Sequence, residues 1–272
     1  MLKPMKTKLR SLSNQAITLA KRIFYFGRGE PICYGNLRLR YLPGTRPLRL
    51  KYINSENPVV RGDARQIQFF LDHVKSGDFV LDIGGHAGQY AVIFAAKTGT
   101  DGRVISFEPD PWARDVLRKN LNLNGFAQRV QVEEIALTDK VGNMPFFSKG
   151  GNSQSSLARS ALGGEAADPQ VTTLTVNTDT LDNYLAKRSL GVPQWLKLDT
   201  EGAEINILRG APLLLKSDAK IICELHPFAW PEFGTNFQEL LELVRAAGKQ
   251  IEYLDERCKI ANGPVYGSVL IS

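Results

Sequence analysis

The segment Asp82-Ile83-Gly84-Gly85-His86-Ala87-Gly88 follows a short apolar run, Phe79–Ile83, and leads into a helix-like stretch from Gln89. Glycines this dense between a strand and a helix let the backbone turn sharply and approach a ligand without a Cβ in the way. The spacing excludes two nucleotide loops. A dinucleotide fingerprint needs glycine two positions after Gly84, where His86 stands, and a phosphate loop ends in Gly-Lys-Ser/Thr, which is absent. What remains is D-x-G-x-x-x-G, formed by Asp82, Gly84 and Gly88. Glu108 closes the next apolar run 24 residues beyond Gly84. That is close to the ~20-residue offset at which an acid bonds the ribose hydroxyls in nucleotide folds.

From Phe79 onward, strand and helix patterns alternate. Strands are expected at 79–83, 104–107, 130–136, 195–198, 221–225, 251–254 and 265–271. Helices are expected at 63–74, 89–97, 111–122 and near 237–247. Alternation of this kind implies an α/β fold, a seven-stranded, mostly parallel sheet with helices on both faces and ligands beyond the strands' carboxyl ends. Ahead of it, Leu37, Leu39 and Tyr41, then Leu48, Leu50 and Tyr52, alternate around Pro43-Gly44-Thr45 and read as a β-hairpin. Residues 148–170, rich in glycine and serine, read as a flexible insertion over the site. The expected division is an extension over 1–55 and a main domain over 56–272.

The net charge of +6 conceals an asymmetry. Residues 1–50 hold eleven lysines and arginines against one acid, Glu30, a net of +10; the remainder holds 23 bases and 27 acids, a net of −4. Apolar residues at Leu2, Met5, Leu9, Leu12, Ala16, Leu19, Ile23 and Phe26 step by three and four, so residues 2–26 form a basic amphipathic helix. It either contacts an anionic membrane surface or packs its stripe on the following domain, and packing is preferred. No apolar run reaches the ~18 residues of a membrane span, and no secretory signal is expected. Three scattered cysteines argue against a disulfide framework. A cytoplasmic location is expected, with or without peripheral membrane contact.

Further motifs sharpen this. Phe107-Glu108-Pro109-Asp110-Pro111, Lys197-Leu198-Asp199-Thr200-Glu201-Gly202-Ala203-Glu204 and Glu224-Leu225-His226-Pro227, together with the glycine loop, resemble the FkbM-type methyltransferases, a class I family. The resemblance spans roughly residues 60–227. It implies a Rossmann-like fold and S-adenosyl-L-methionine as methyl donor, with transfer to a hydroxyl of a sugar, glycan or secondary metabolite. Asp82, Gly84, Gly85, His86, Gly88 and Glu108 would then line the cofactor site, with Ala136 beside the adenine.

For catalysis, Asp199 reads as base or acceptor anchor and Glu201 as its positioning neighbour. Lys197, alternating with Leu196 and Leu198, points to the opposite face to pair with an acid or orient the acceptor. His226 is the alternative base, its ordinary pKa of ~6.5 suiting proton removal. Asp199, Glu201, Glu224 and His226 have ligand types that suit Mg²⁺ or Mn²⁺, but convergence is not legible in sequence and no metal is assigned. Two other classes stay open: a nucleic-acid methyltransferase, or a non-catalytic cofactor-binding protein at a membrane surface. The tetrapeptide at the fourth strand is not the one expected for base methylation, so a nucleic-acid partner is not expected. Oligomeric state is not legible.

Overall fold

The structure, a computed structural model, describes residues 16–45, 47–150, 154–161, 171–254 and 266–272. Its centre is a seven-stranded sheet ordered β11-β12-β10-β9-β3-β4-β5. The strands are β3 (Phe79–Ile83), β4 (Arg103–Phe107), β5 (Val130–Glu133), β9 (Trp195–Leu198), β10 (Lys220–Leu225), β11 (Ile251–Tyr253) and β12 (Gly267–Ile271). β5, β4, β3, β9 and β10 run parallel, while β12 runs antiparallel to both β10 and β11. Chain order reverses between β3 and β9, so the crevice at their carboxyl ends is the natural ligand site.

The strands are apolar on both faces because helices cover both. One face sends Leu81, Ile83, Ile105, Phe107, Leu196 and Leu198 into a core with α5 (Leu181–Lys187) and α6 (Glu204–Arg209). The other sends Val80, Val104, Trp195 and Ile222 against α2 (Pro58–His73), α3 (Gln89–Thr98) and α4 (Pro111–Leu123). Asp82, Lys197 and Glu224 share the parity of this second face and are buried polar exceptions in it. Asp82 lies directly across from Lys197, and opposite charges in register favour the pairing.

The hairpin forms, in a different place. β1 (Glu30–Tyr34) pairs with β2 (Leu37–Tyr41) through Gly35-Asn36, where Gly35 adopts a φ of +56°. Residues 48–52, expected as the second strand, instead carry a 3-10 turn at Leu50–Tyr52. The reason is local: the Leu48 carbonyl accepts from the Tyr34 hydroxyl and its N–H donates to Gln89 Oε1, so side chains meet the needs of a strand partner. The outer edge of β2 is likewise closed by side chains. Asn124 Oδ1 accepts from Arg40 N and its Nδ2 donates to Arg40 O, while Asn120 Oδ1 accepts from Leu42 N.

The expected third strand, 130–136, breaks after Glu133. Ala136–Leu137 forms β6 and leaves the main sheet to pair with β8 (Thr172–Asp179), which also pairs antiparallel with β7 (Gly142–Ser148). Residues 148–170 are thus in part the connection between two strands. Within it, residues 154–161 are pinned: Ser156 bridges Phe147, and Glu232 accepts from the backbone N–H groups of Arg159 and Ser160.

Residues 16–24 are helical (α1), and the amphipathic pattern over 2–15 lies outside the described residues. The preferred packing of the stripe does not occur in the described part. Leu19, Ile23 and Phe26 are 60%, 71% and 86% exposed. The polar side faces the body instead: Lys21 pairs with Glu30 at 2.6 Å, and Thr18 and Arg22 lie beside Gly44. No helix among the described residues is long and apolar enough to cross a membrane.

Candidate active site

The glycine loop leaves β3 with φ of +85° at Gly84 and enters α3 with φ of +80° at Gly88, conformations that favour glycine. A Cβ on Gly84 would lie 1.7 Å from the Asp199 carbonyl oxygen, and one on Gly85 would lie 2.1 Å from Ser106 Oγ. At Gly88 it would meet Leu117 at 2.9 Å. The missing side chains thus let the loop close onto β9, β4 and α4. Close approach is required, as expected, but first by the protein itself.

Beside this loop opens a cavity with an interior of about 110 Å³. Gly84, His86, Glu108 and Ala136 line it, as do Asp199 and Glu201. Glu108 sits at the end of β4, its Oε2 accepting from His86 N at 2.6 Å and its Oε1 from Asp110 N at 2.8 Å. Burial pushes its carboxyl up to about 8, opposed by those two N–H groups. Each oxygen keeps a lone pair for vicinal hydroxyls, and Phe107, Ile135, Leu137, Phe146 and Leu157 give apolar walls for a flat ring. These residues fit a nucleoside. Asp82 is placed differently: fully buried under the loop, it accepts from Ser106 Oγ at 2.9 Å. Burial raises its carboxyl to about 6, with Lys197 opposing. It supports the loop from beneath.

His86 and Glu201 have φ of +43° and +54°, and among the described residues only Ser189 joins them as a non-glycine in that region. Both flank this cavity, and strain of this kind concentrates at functional sites. Asp199 and Glu201 leave the end of β9 with side chains 28% and 17% exposed. Lys197 points to the opposite face, as its alternation implies, and its Nζ reaches back to Asp199 Oδ2 at 2.9 Å while lying 4.6 Å above the Tyr90 ring. Burial alone would raise the Asp199 carboxyl, but Lys197 and His226 hold it below the usual range. Burial raises Glu201 to about 8 against the opposing charge of His226.

His226 follows β10, is 1% exposed and does not line the cavity. Its Nδ1 lies 3.0 Å from Glu204 Oε1. An ionised carboxylate only accepts, so Nδ1 carries the hydrogen. Glu204, wholly buried in the first turn of α6, also accepts from Gly202 N, Thr200 Oγ1 and Trp230 Nε1. Burial would raise its carboxyl, yet His226 and these donors hold it low. For His226, burial alone would lower the pKa, but Glu204, Glu201 and Glu224 push it up to about 10.

Sequence reasoning left four participants without a role. Asp63 of α2 is raised to about 8 by burial and by Glu224 and Asp199. Tyr266 donates to Glu224, and burial with Glu224 raises its hydroxyl far above its ordinary value. Tyr90 underlies Lys197, and Ser156 Oγ bonds the Glu201 carbonyl at 2.9 Å. Unlike Glu224, an acid near the end of an apolar strand, none of the four carried a signal in the sequence.

A family profile described as the Methyltransferase FkbM domain matches residues 82–251. Methyltransferase sdnD of Sordaria araneosa is 28% identical over 172 residues, covering 53% of this chain and 66% of that protein. The hexuronic acid methyltransferase AglP of Haloferax volcanii is 25% identical over 167 residues, covering 61% and 64%. The 2-O-methyltransferase NoeI of Sinorhizobium fredii is 26% identical over 157 residues, covering 54% and 61%. This chain therefore spans less than two thirds of the length of these relatives. With the glycine loop, Glu108 and the acids after β9 all inside a profile that matches more than half of it, the chain belongs to the FkbM methyltransferase family.

Proposed function

We propose that this chain is an S-adenosylmethionine-dependent O-methyltransferase acting on a hydroxyl of a sugar, glycan or secondary metabolite. The observation that carries the reading is one cavity lined both by Glu108 and by the Asp199–Glu201 pair. The names of two relatives, a hexuronic acid methyltransferase and a 2-O-methyltransferase, support oxygen as the accepting atom. Carboxylates gathered at the acceptor side would repel the phosphates of a nucleic acid.

When bound, S-adenosylmethionine supplies a methyl group on a sulfonium that is already a good electrophile. The chain's task is alignment, with the acceptor oxygen ~3–3.5 Å from the methyl carbon. Glu108 holds the ribose hydroxyls and His86 shapes the loop. Lys197 occupies Asp199 Oδ2 and leaves Oδ1 for the acceptor. Asp199 would accept the hydroxyl's hydrogen bond and take its proton when that oxygen is methylated. Glu201 orients the acceptor, and His226 with Glu204 fixes the loop behind it.

Calorimetry with S-adenosylmethionine and transfer of labelled methyl to sugar acceptors test this together. Glu108→Ala is expected to lose about 100-fold in cofactor affinity, or more, through loss of two charge-assisted hydrogen bonds. Asp199→Asn is expected to bind cofactor normally but lose ~10²–10⁴ in turnover. No cofactor binding by the intact chain overturns the reading. Binding without transfer to any acceptor favours the non-catalytic alternative.

A second contact is proposed on separate grounds. The exposed Leu19, Ile23 and Phe26, in a segment with a net charge of +10, suit an anionic membrane surface. Ile23→Glu with Phe26→Glu in the full chain should abolish co-sedimentation with phosphatidylserine-containing vesicles and leave methyl transfer intact. Equal sedimentation of variant and parent removes the proposal.

A further inference from the structure

Behind the cavity wall, three carboxylate side chains converge on one nitrogen. His226 Nε2 lies 3.5 Å from Glu201 Oε2, 3.9 Å from Asp199 Oδ1 and 4.0 Å from Glu224 Oε1. None of these is a hydrogen bond, and Nε2 is buried without a hydrogen-bond partner among the described residues. This imidazole cannot turn to find one, because Nδ1 is committed to Glu204. A proton on Nε2 would have carboxylates only at ion-pair distance and no hydrogen bond, and a bare lone pair would face three carboxylates. Either state leaves a buried polar atom unsatisfied, and such atoms in native folds call for an occupant.

We propose that His226 Nε2, Asp199 Oδ1 and Glu224 Oε1 form a divalent-cation site, with Glu201 at its open side. One oxygen or nitrogen from each of the three lies within 4.8 Å of the others. A cation with bonds of ~2.1 Å sets its ligands ~3.0 Å apart at right angles and ~4.2 Å apart across the ion. The separations around Nε2 fall in that window. Supporting contacts have the form that metal sites require. Glu204 fixes the ring and its tautomer, as the carboxylate behind a metal-bound histidine does. Lys197 bonds Asp199 Oδ2, and Tyr266 donates to Glu224 Oε1 itself, which orients both carboxylates and leaves that oxygen a second lone pair for the ion.

Carboxylates select Mg²⁺ and Mn²⁺, and the imidazole adds preference for the softer of the two, so Mn²⁺ is the ion of choice. The cation claim stands on these groups alone. Its service to the acceptor rests on the function proposed above: Asp199 and Glu201 also line the cavity, so an ion here has open positions for an acceptor hydroxyl. Asp199 Oδ1 would then bind the ion through one lone pair and keep the other for the acceptor's hydrogen bond.

The test is Mn²⁺ binding by the chelator-stripped full chain, followed through loss of the free-ion paramagnetic resonance signal. One Mn²⁺ per chain is expected, with affinity reduced at least 100-fold in Asp199→Asn and in Glu224→Gln. Glu204→Gln, which touches no ligand position but frees the imidazole, should weaken binding ~10–100-fold. Glu108→Ala should bind Mn²⁺ as the parent does, so a failed cofactor site and a failed cation site give different results. Circular dichroism confirms that each variant is folded. Asp199, partly exposed at a strand end, decides the matter if the buried Glu224→Gln does not fold. A parent chain that leaves millimolar Mn²⁺ free, or an Asp199→Asn chain that binds it equally, overturns the site.

Discussion

Under the proposed function, Glu108 has two tasks that pull its protonation in opposite directions. It is buried, which raises its carboxyl to about 8, yet it must be ionised to accept from two ribose hydroxyls as well as from His86 and Asp110. Cofactor binding adds donors to the charged form and so lowers this pKa, which means that binding releases a proton below pH ~8. S-adenosylmethionine affinity should therefore rise between pH 6 and 8, by at most tenfold per pH unit, and level off above. Calorimetry in buffers of different ionisation enthalpy reads both the slope and the released proton. Glu108→Gln should bind weakly and without the slope; a slope that persists there belongs to another group. The placement of Glu108 at the cavity was legible in sequence, because an acid ending a strand after a glycine loop comes to lie beside that loop. The role of Glu204 was not. In sequence it is a first-turn acid, and only the fold brings His226 and Trp230 to its two oxygens.

The glycine loop is legible as an element, whereas its reason is not. Gly84 and Gly125 both adopt positive φ, but a Cβ on Gly125 would meet nothing within 4 Å while one on Gly84 strikes the Asp199 backbone. Gly125→Ala should thus cost about 1 kcal/mol from the left-handed backbone alone. Gly84→Ala should cost about 3 kcal/mol or more, because overpacking against a strand end adds to the strain. Denaturant midpoints of the two variants measure the difference, and equal costs would mean that the loop can move away from β9. Strands such as Phe79–Ile83 and Trp195–Leu198 appeared at their expected bounds because buried parallel strands are continuous apolar runs. The hairpin shifted because Tyr34 and Gln89 supply Leu48 with side-chain partners that no local pattern reveals. β7 and β8 escaped notice even though Leu174, Val176 and Thr178 alternate. Their pairing spans the long connection over 149–171, so it is not a local hairpin signal.

For the molecule as a whole, the seven-stranded, mostly parallel sheet followed from alternation, and the charge asymmetry marked the N-terminal segment as a different kind of surface. What could not be read was orientation. Amphipathicity gives a helix two faces without saying which one meets the body, and here ion pairing through Lys21 turned the polar one inward. The hairpin is joined to the site in a way its sequence does not announce. Asn120 donates to Ala87 in the glycine loop and accepts from Leu42 of the hairpin, linking a segment that precedes the family profile to that loop. The same asparagines have another consequence. A two-stranded ribbon at a surface ordinarily exposes a row of amides on which a stranger's backbone can crystallise, and from there fibrils grow. At Arg40 and Leu42 that row is already answered by the carboxamides of Asn124 and Asn120. A second molecule arriving edge-on finds the template already filled.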